Sequence, residues 1–181
     1  MNDANSRIVW HGRSWQMRVI TERLPNGQKM ERAFIDHPGA VVLIPVRQTA
    51  VGPNVLMLRQ YRAALGETIL ELPAGTRNRD EAWLACAQRE LREETGFRAA
   101  TFTYLGETWP SPGVSSEQMR LYLATGLEAD PLPQDDDEEI TVEPMPLADL
   151  LEMARNGRIH DAKSIIGLWW AAEYLKDWKS A

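Results

Sequence analysis

Residues 75–97 constrain this chain more than any other stretch, because they join a sharp turn to a helix carrying like charges that a helix tolerates poorly. Pro73-Ala74-Gly75 suits a backbone that must bend abruptly. Asn78 with Glu81 has the spacing of a capping box, Leu84, Ala87 and Leu91 recur at helical spacing, and Gly96 stands where a left-handed terminating residue is expected. The pattern predicts a helix over about residues 79–95. At about 100° per residue, Glu90, Glu93 and Glu94 fall within one arc of about 100°, beside the arc of Leu84, Ala87 and Leu91 that would face a core. Glu90 opposes Glu93 and Glu94 as like-charge pairs at i,i+3 and i,i+4, and all three lie where the helix dipole disfavours negative charge. Charge runs are often just solvated faces. A local cost without visible compensation is also the mark of a functional site, and a hard divalent cation such as Mg²⁺ would supply the compensation through carboxylate oxygens.

Around this helix the chain alternates strands and turns. Residues 7–36 read as two or three strands, with Trp15, Met17, Val19 and Thr21 alternating against polar neighbours and Pro25-Asn26-Gly27 as a hairpin turn. The unbroken apolar run Ala40–Val46 reads as a central strand, expected to pair with Val55–Leu58 across the turn Val51-Gly52-Pro53-Asn54. Further strands are expected at Thr68–Leu72, Thr101–Glu107, Met119–Thr125 and Ile140–Met145. Two helices close the sequence, at about residues 146–156 and 161–176, the second with an apolar stripe of Ile165, Leu168, Trp169 and Ala172.

Composition excludes some classes of function. A net charge of −6, with the run Asp135-Asp136-Asp137-Glu138-Glu139, argues against nucleic acid as a partner. No apolar stretch approaches a membrane span and the first residues lack a signal-peptide pattern, so a cytoplasmic protein without a membrane partner is expected. Cys86, the single cysteine, sits among alanines and reads as a buried packing residue. His11, His37 and His160 have no ligand spacing, so a zinc site is not expected.

Gly75, five residues, Glu81, seven residues, then Arg89-Glu90-Leu91-Arg92-Glu93-Glu94-Thr95-Gly96-Phe97 resembles the Nudix box at every fixed position. Arg32, Asp36-His37-Pro38-Gly39-Ala40-Val41, Arg59-Gln60-Tyr61-Arg62, Glu71-Leu72-Pro73-Ala74-Gly75, Ser111-Pro112-Gly113 with Glu117, and Gly157-Arg158-Ile159-His160-Asp161-Ala162-Lys163 resemble the ADP-ribose pyrophosphatase-like branch of that family. The resemblance implies an α/β (α+β) Nudix fold, a mixed β-sheet sandwiched between helices. It also implies an N-terminal antiparallel ribbon, residues 1–38, for dimerisation and substrate binding, and a catalytic domain with C-terminal helices, residues 39–181. By the same resemblance Glu90, Glu94 and the Ala74 carbonyl are metal ligands, and Glu93 is a further ligand or a hydrogen-bond partner of a water held there. Arg89 pairs with Glu93.

The resemblance further implies that Arg32, Arg62, Glu71, Ser111, Gly113 and Glu117 contact substrate, with Arg32 or an aromatic such as Trp10 or Trp15 stacking on a base. Glu138 is the best match to the general base, with Glu139 and Glu117 as alternatives. The implied reaction is Mg²⁺-dependent hydrolysis, with Mn²⁺ as a possible substitute, of ADP-ribose or a related nucleoside diphosphate sugar by a homodimer. GDP-mannose or UDP-sugar hydrolysis is the rival within the enzyme class, and a non-catalytic nucleotide-sugar sensor the rival outside it.

Overall fold

The structure, a computed structural model, describes residues 6–134 and 139–178. β1 (Ser6–His11), β2 (Gln16–Arg23) and β3 (Lys29–Asp36) form an antiparallel three-stranded sheet of their own. β4 (Ala40–Thr49), β5 (Gly52–Arg62), β6 (Glu67–Glu71), β7 (Ala74–Thr76), β8 (Phe97–Thr108), β9 (Met119–Ala129) and β10 (Ile140–Pro146) make a seven-stranded sheet in the order β10-β5-β4-β9-β8, with β6 on β5 and β7 on β4. β4 and β9 run parallel and the other pairs antiparallel, so the sheet is mixed.

The continuous apolar run of β4 follows from cover on both faces. Val41 and Leu43 pack with Cys86, Ala87 and Leu91 of α1 (Trp83–Thr95). Val42, Ile44 and Val46 point the other way, against Leu147 and Leu150 of α2 (Leu147–Arg155) and Leu168, Ala171 and Leu175 of α3 (Ala162–Trp178). Cys86 is fully buried, and burial pushes its thiol well above the ordinary range, so it is inert packing. Among the described residues no helix is long and apolar enough to cross a membrane.

Three details depart from the sequence pattern. α1 begins at Trp83 rather than about 79, because the Arg77 guanidinium donates to the carbonyls of Pro38, Arg79 and Glu81 and holds the preceding residues as a loop. Glu81 Oε2 still accepts from the Asn78 N–H at 3.0 Å, which is half of the capping box, but ahead of the helix. Leu84 is 54% exposed and Trp169 47% exposed, so neither belongs to its expected core face; α3 instead buries Ser164, Leu168, Ala171 and Leu175. Gly96 does end α1 in the left-handed conformation, φ 77°, with its N–H donating to the Arg92 carbonyl.

Candidate active site

β7 and α1 build the centre of the site. A Cβ placed on Gly75 would lie 1.8 Å from Cδ of Glu90, so the Glu90 carboxylate packs directly on the bare glycine backbone. One turn further, Oε2 of Glu94 accepts the Ala74 N–H at 2.9 Å. Glu90 is 8% and Glu94 2% exposed, an unusual burial for carboxylates in the last turns of a helix.

Arg89 organises this acid cluster. Its Nε and Nη2 form a two-pronged bond to Glu81 at 2.9 and 3.0 Å, and its Nη1 reaches Glu90 at 2.7 Å and Glu93 at 2.8 Å. The hydrogen bond from Arg89 holds the Glu81 carboxyl below its ordinary range, and the three carboxylates raise the guanidinium in turn, Glu81 most strongly. Because Glu90 and Glu93 both turn toward Arg89, no three His, Cys, Asp or Glu side chains among the described residues are gathered into a ready metal cage. The donor chemistry nevertheless fits a hard divalent cation: Glu90 and Glu94 meet the Ala74-Gly75 backbone, Glu93 lines the same cleft, and Glu90 lies in the space that a side chain at Gly75 would fill.

A cleft of about 610 Å³ opens over this centre, a size suited to a small ligand. Ala74, Glu90, Glu93 and Arg89 line it together with Arg62, Glu117, Arg13, Asp161 and Lys163. Arg62 and Lys163 are held by one buried carboxylate, Glu71, which is 1% exposed. Nη2 of Arg62 stands 2.8 Å from Oε1 of Glu71, and Nζ of Lys163 donates to its Oε2 and, at 3.0 Å, to Asp161. Burial opposes the charge on Arg62, but the Glu71 bond and the nearby Glu94 and Asp161 outweigh it and raise its pKa. Glu117 is the opposite case: burial raises its carboxyl above the ordinary range, and Lys163 only partly offsets this.

The cleft does not gather every residue singled out in the sequence. Arg32 lies on exposed β3 and pairs with Glu22 at 2.9 Å, outside the cleft lining. Ser111 and Gly113 belong to a turn, with the Ser111 carbonyl accepting from Val114 and Ser115, and Pro110 rather than either of them lines the cleft. Trp10 and Trp15 pack against each other in a tilted pair, ring centroids 4.6 Å apart and planes 40° from parallel. Glu138 lies outside the described residues. Arg13 and Ser14, from the β1–β2 turn, are cleft residues that no local pattern announces, and the sequence motif that contains Asp161 and Lys163 assigns neither a role.

A family model described as the NUDIX domain matches residues 36–166. The chain belongs to the NUDIX family. Its similarity to curated relatives runs nearly end to end: 34% identity with a methanol dehydrogenase activator of Bacillus methanolicus, covering 93% of this chain and 88% of that one. An ADP-ribose pyrophosphatase of Bacillus subtilis is 32% identical over the same shares. One of Mycobacterium tuberculosis is 33% identical over 91% of this chain and 79% of its own. A crystal structure of an ADP compounds hydrolase superposes with a TM-score of 0.80 at 22% identity, covering 96% of this chain and 93% of the other, which establishes the Nudix fold. Nudix hydrolases generally work with divalent metals.

Proposed function

We propose that this Nudix protein hydrolyses the diphosphate of ADP-ribose or a related nucleoside diphosphate sugar to a nucleoside monophosphate and a sugar phosphate. The observation that carries the reading is one cleft in which an acid centre, Glu90 and Glu93, faces a cationic wall, Arg62 and Lys163. Glu90, Glu93, Glu94 and the Ala74 carbonyl are the residues proposed to hold Mg²⁺, with Mn²⁺ as a substitute. Bound there, the cation neutralises diphosphate charge and lowers the pKa of water.

The chain's own groups do the rest. Arg89 keeps Glu90 and Glu93 on the cleft side of the helix through one shared nitrogen. Arg62 and Lys163, pre-oriented by Glu71, bind phosphate oxygens by charge-assisted hydrogen bonds without ordering long side chains at the moment of binding. Glu117 accepts hydrogen bonds from sugar hydroxyls. The proton of the attacking water is assigned to Glu138, with Glu139 and Glu117 as the alternatives. The ribbon of residues 1–38 serves dimerisation and substrate binding, so the working form is a homodimer, and the single buried Cys86 accords with a cytoplasmic enzyme.

Incubation with Mg²⁺ and, separately, ADP-ribose, GDP-mannose, UDP-glucose and diadenosine polyphosphates, followed by product identification, tests the proposal. AMP and ribose phosphate from ADP-ribose are expected. Preferred cleavage of GDP-mannose or UDP-glucose selects the rival sugar class, and tight binding of a nucleotide sugar without turnover under Mg²⁺ or Mn²⁺ selects the sensor. Glu94→Gln keeps an oxygen for the Ala74 N–H but loses the charge, and it is expected to cut turnover by about a hundredfold or more with the fold intact.

A further inference from the structure

His37, in the connection between β3 and β4, has no part in the chemistry described so far. Its Nδ1 accepts the Gly39 N–H at 3.1 Å, which leaves the ring proton on Nε2. That Nε2 stands 3.8 Å from Oε1 of Glu117, a cleft residue. The ring is almost wholly buried, and two segments are laced together to hold the pair. The Ile35 N–H donates to Val114 at 2.9 Å, the Ser116 N–H to Ile35 at 2.9 Å, the His37 N–H to Ser116 Oγ at 3.0 Å, and the Glu117 N–H to Ser115 Oγ at 3.1 Å.

We propose that His37 is a positioning residue, whose neutral ring presents its Nε2–H to Glu117 and orients that carboxylate to receive the sugar hydroxyls of the substrate. The gap of 3.8 Å exceeds a hydrogen bond, and a small rotation of the Glu117 side chain closes it when the cleft fills. Charge supports this division of labour. Burial and the nearby Arg79 depress His37, with Asp36 opposing, so the ring is a neutral donor near pH 7. Burial raises Glu117, with Lys163 of α3 opposing. A donor facing Glu117 favours its ionised form, the form that accepts two hydroxyls. What Glu117 contacts rests on the nucleoside diphosphate sugar reading; the coupling between His37 and Glu117 does not.

His37→Asn separates the two ends of the ring, because an Asn oxygen can still accept the N–H two residues on while nothing remains to reach Glu117. With ADP-ribose and Mg²⁺ the variant is expected to raise KM about tenfold with little change in kcat, and to move the acid limb of kcat/KM up by about half to one pH unit. Added to Glu117→Gln, it should cost nothing further. Carboxyl NMR of Glu117 should titrate higher in His37→Asn than in the wild type. Equal losses with and without Glu117, or an unmoved titration, overturn the proposal. Nitrogen NMR of His37 in the wild type needs no variant: the proton on Nε2 is expected, and a proton on Nδ1 overturns it. Absence of any nucleotide-sugar hydrolysis by the wild type sinks the substrate reading, while the two NMR titrations still decide the pair.

Discussion

At the scale of single residues, the cleft keeps charges where water would shield them better. Glu117 shows the consequence most directly. Its carboxyl is raised by burial from an ordinary value of 4.5, so the folded protein binds the proton more tightly than the unfolded chain does. Below the unfolded value both states are protonated and nothing is lost. As pH climbs through the folded value, stability falls, and the penalty then stays constant. Glu117→Gln should therefore raise the melting temperature at pH 7–8 by a few degrees at most, and the gain should vanish near pH 4. Hydrolysis should weaken in the same variant. Thermal melts at the two pH values check the first part; an equal or lower melting temperature at pH 8 would show that the carboxylate is well compensated. Glu81 has the opposite sign, since its bond to Arg89 depresses its pKa and contributes stability that is lost only as pH falls through the folded value.

The meeting of β7 and α1 sets the functional geometry at the scale of elements. Gly75→Ala would place a methyl group 1.8 Å from Cδ and 2.1 Å from Oε2 of Glu90. The obstructed atoms end a flexible side chain, so Glu90 can swing away and the fold should survive with a small loss of melting temperature. Its carboxylate would then leave the Ala74-Gly75 turn, and turnover should drop by about a hundredfold with a weakened response to Mg²⁺. A Mg²⁺ titration of turnover measures both, and near-normal values would mean that Glu90 is not a ligand.

Much of this element was legible beforehand. Gly96 announced the helix end, and the spacing from Gly75 to Phe97 pointed to the family that residues 36–166 match. The rest depended on partners distant in sequence. Pro73-Ala74-Gly75 reads locally as a turn, yet Ala74–Thr76 also pairs with β4, and no local rule reveals a strand of three residues. The helix start was overridden by Arg77 reaching Pro38. Lys163 meets Glu71 across 92 positions, a contact that hydrophobic periodicity does not encode.

For the molecule as a whole, the open question is what covers the ribbon. β1 is an edge strand, and all of it after Ser6 is exposed, including Ile8, Val9 and Trp10; Met17 on β2 and Met30 on β3 add to the apolar surface. At the start of β2 the polar Gln16 is buried on Asp36 while the apolar Met17 faces outward. Two of the ribbon's ion pairs, Arg7 with Glu31 and Arg32 with Glu22, are exposed and contribute little, while Arg18 with Asp36 at 3.2 Å is the better shielded one. Exposed apolar side chains on both faces of an open edge strand are poorly suited to a free monomer and well suited to pairing with a second copy, where a stable interface buries about 1,600 Å² in total. Sedimentation at micromolar concentration should show a homodimer, and the double substitution Ile8→Asp with Trp10→Ser should convert it to a folded monomer. Because the β1–β2 turn also delivers Arg13 and Ser14 to the cleft, that monomer should bind ADP-ribose more weakly even though Glu90, Glu93 and Glu94 are untouched. A wild-type monomer would refute the pairing, and a variant monomer of unchanged KM would show that the ribbon acts on each cleft without help from a partner.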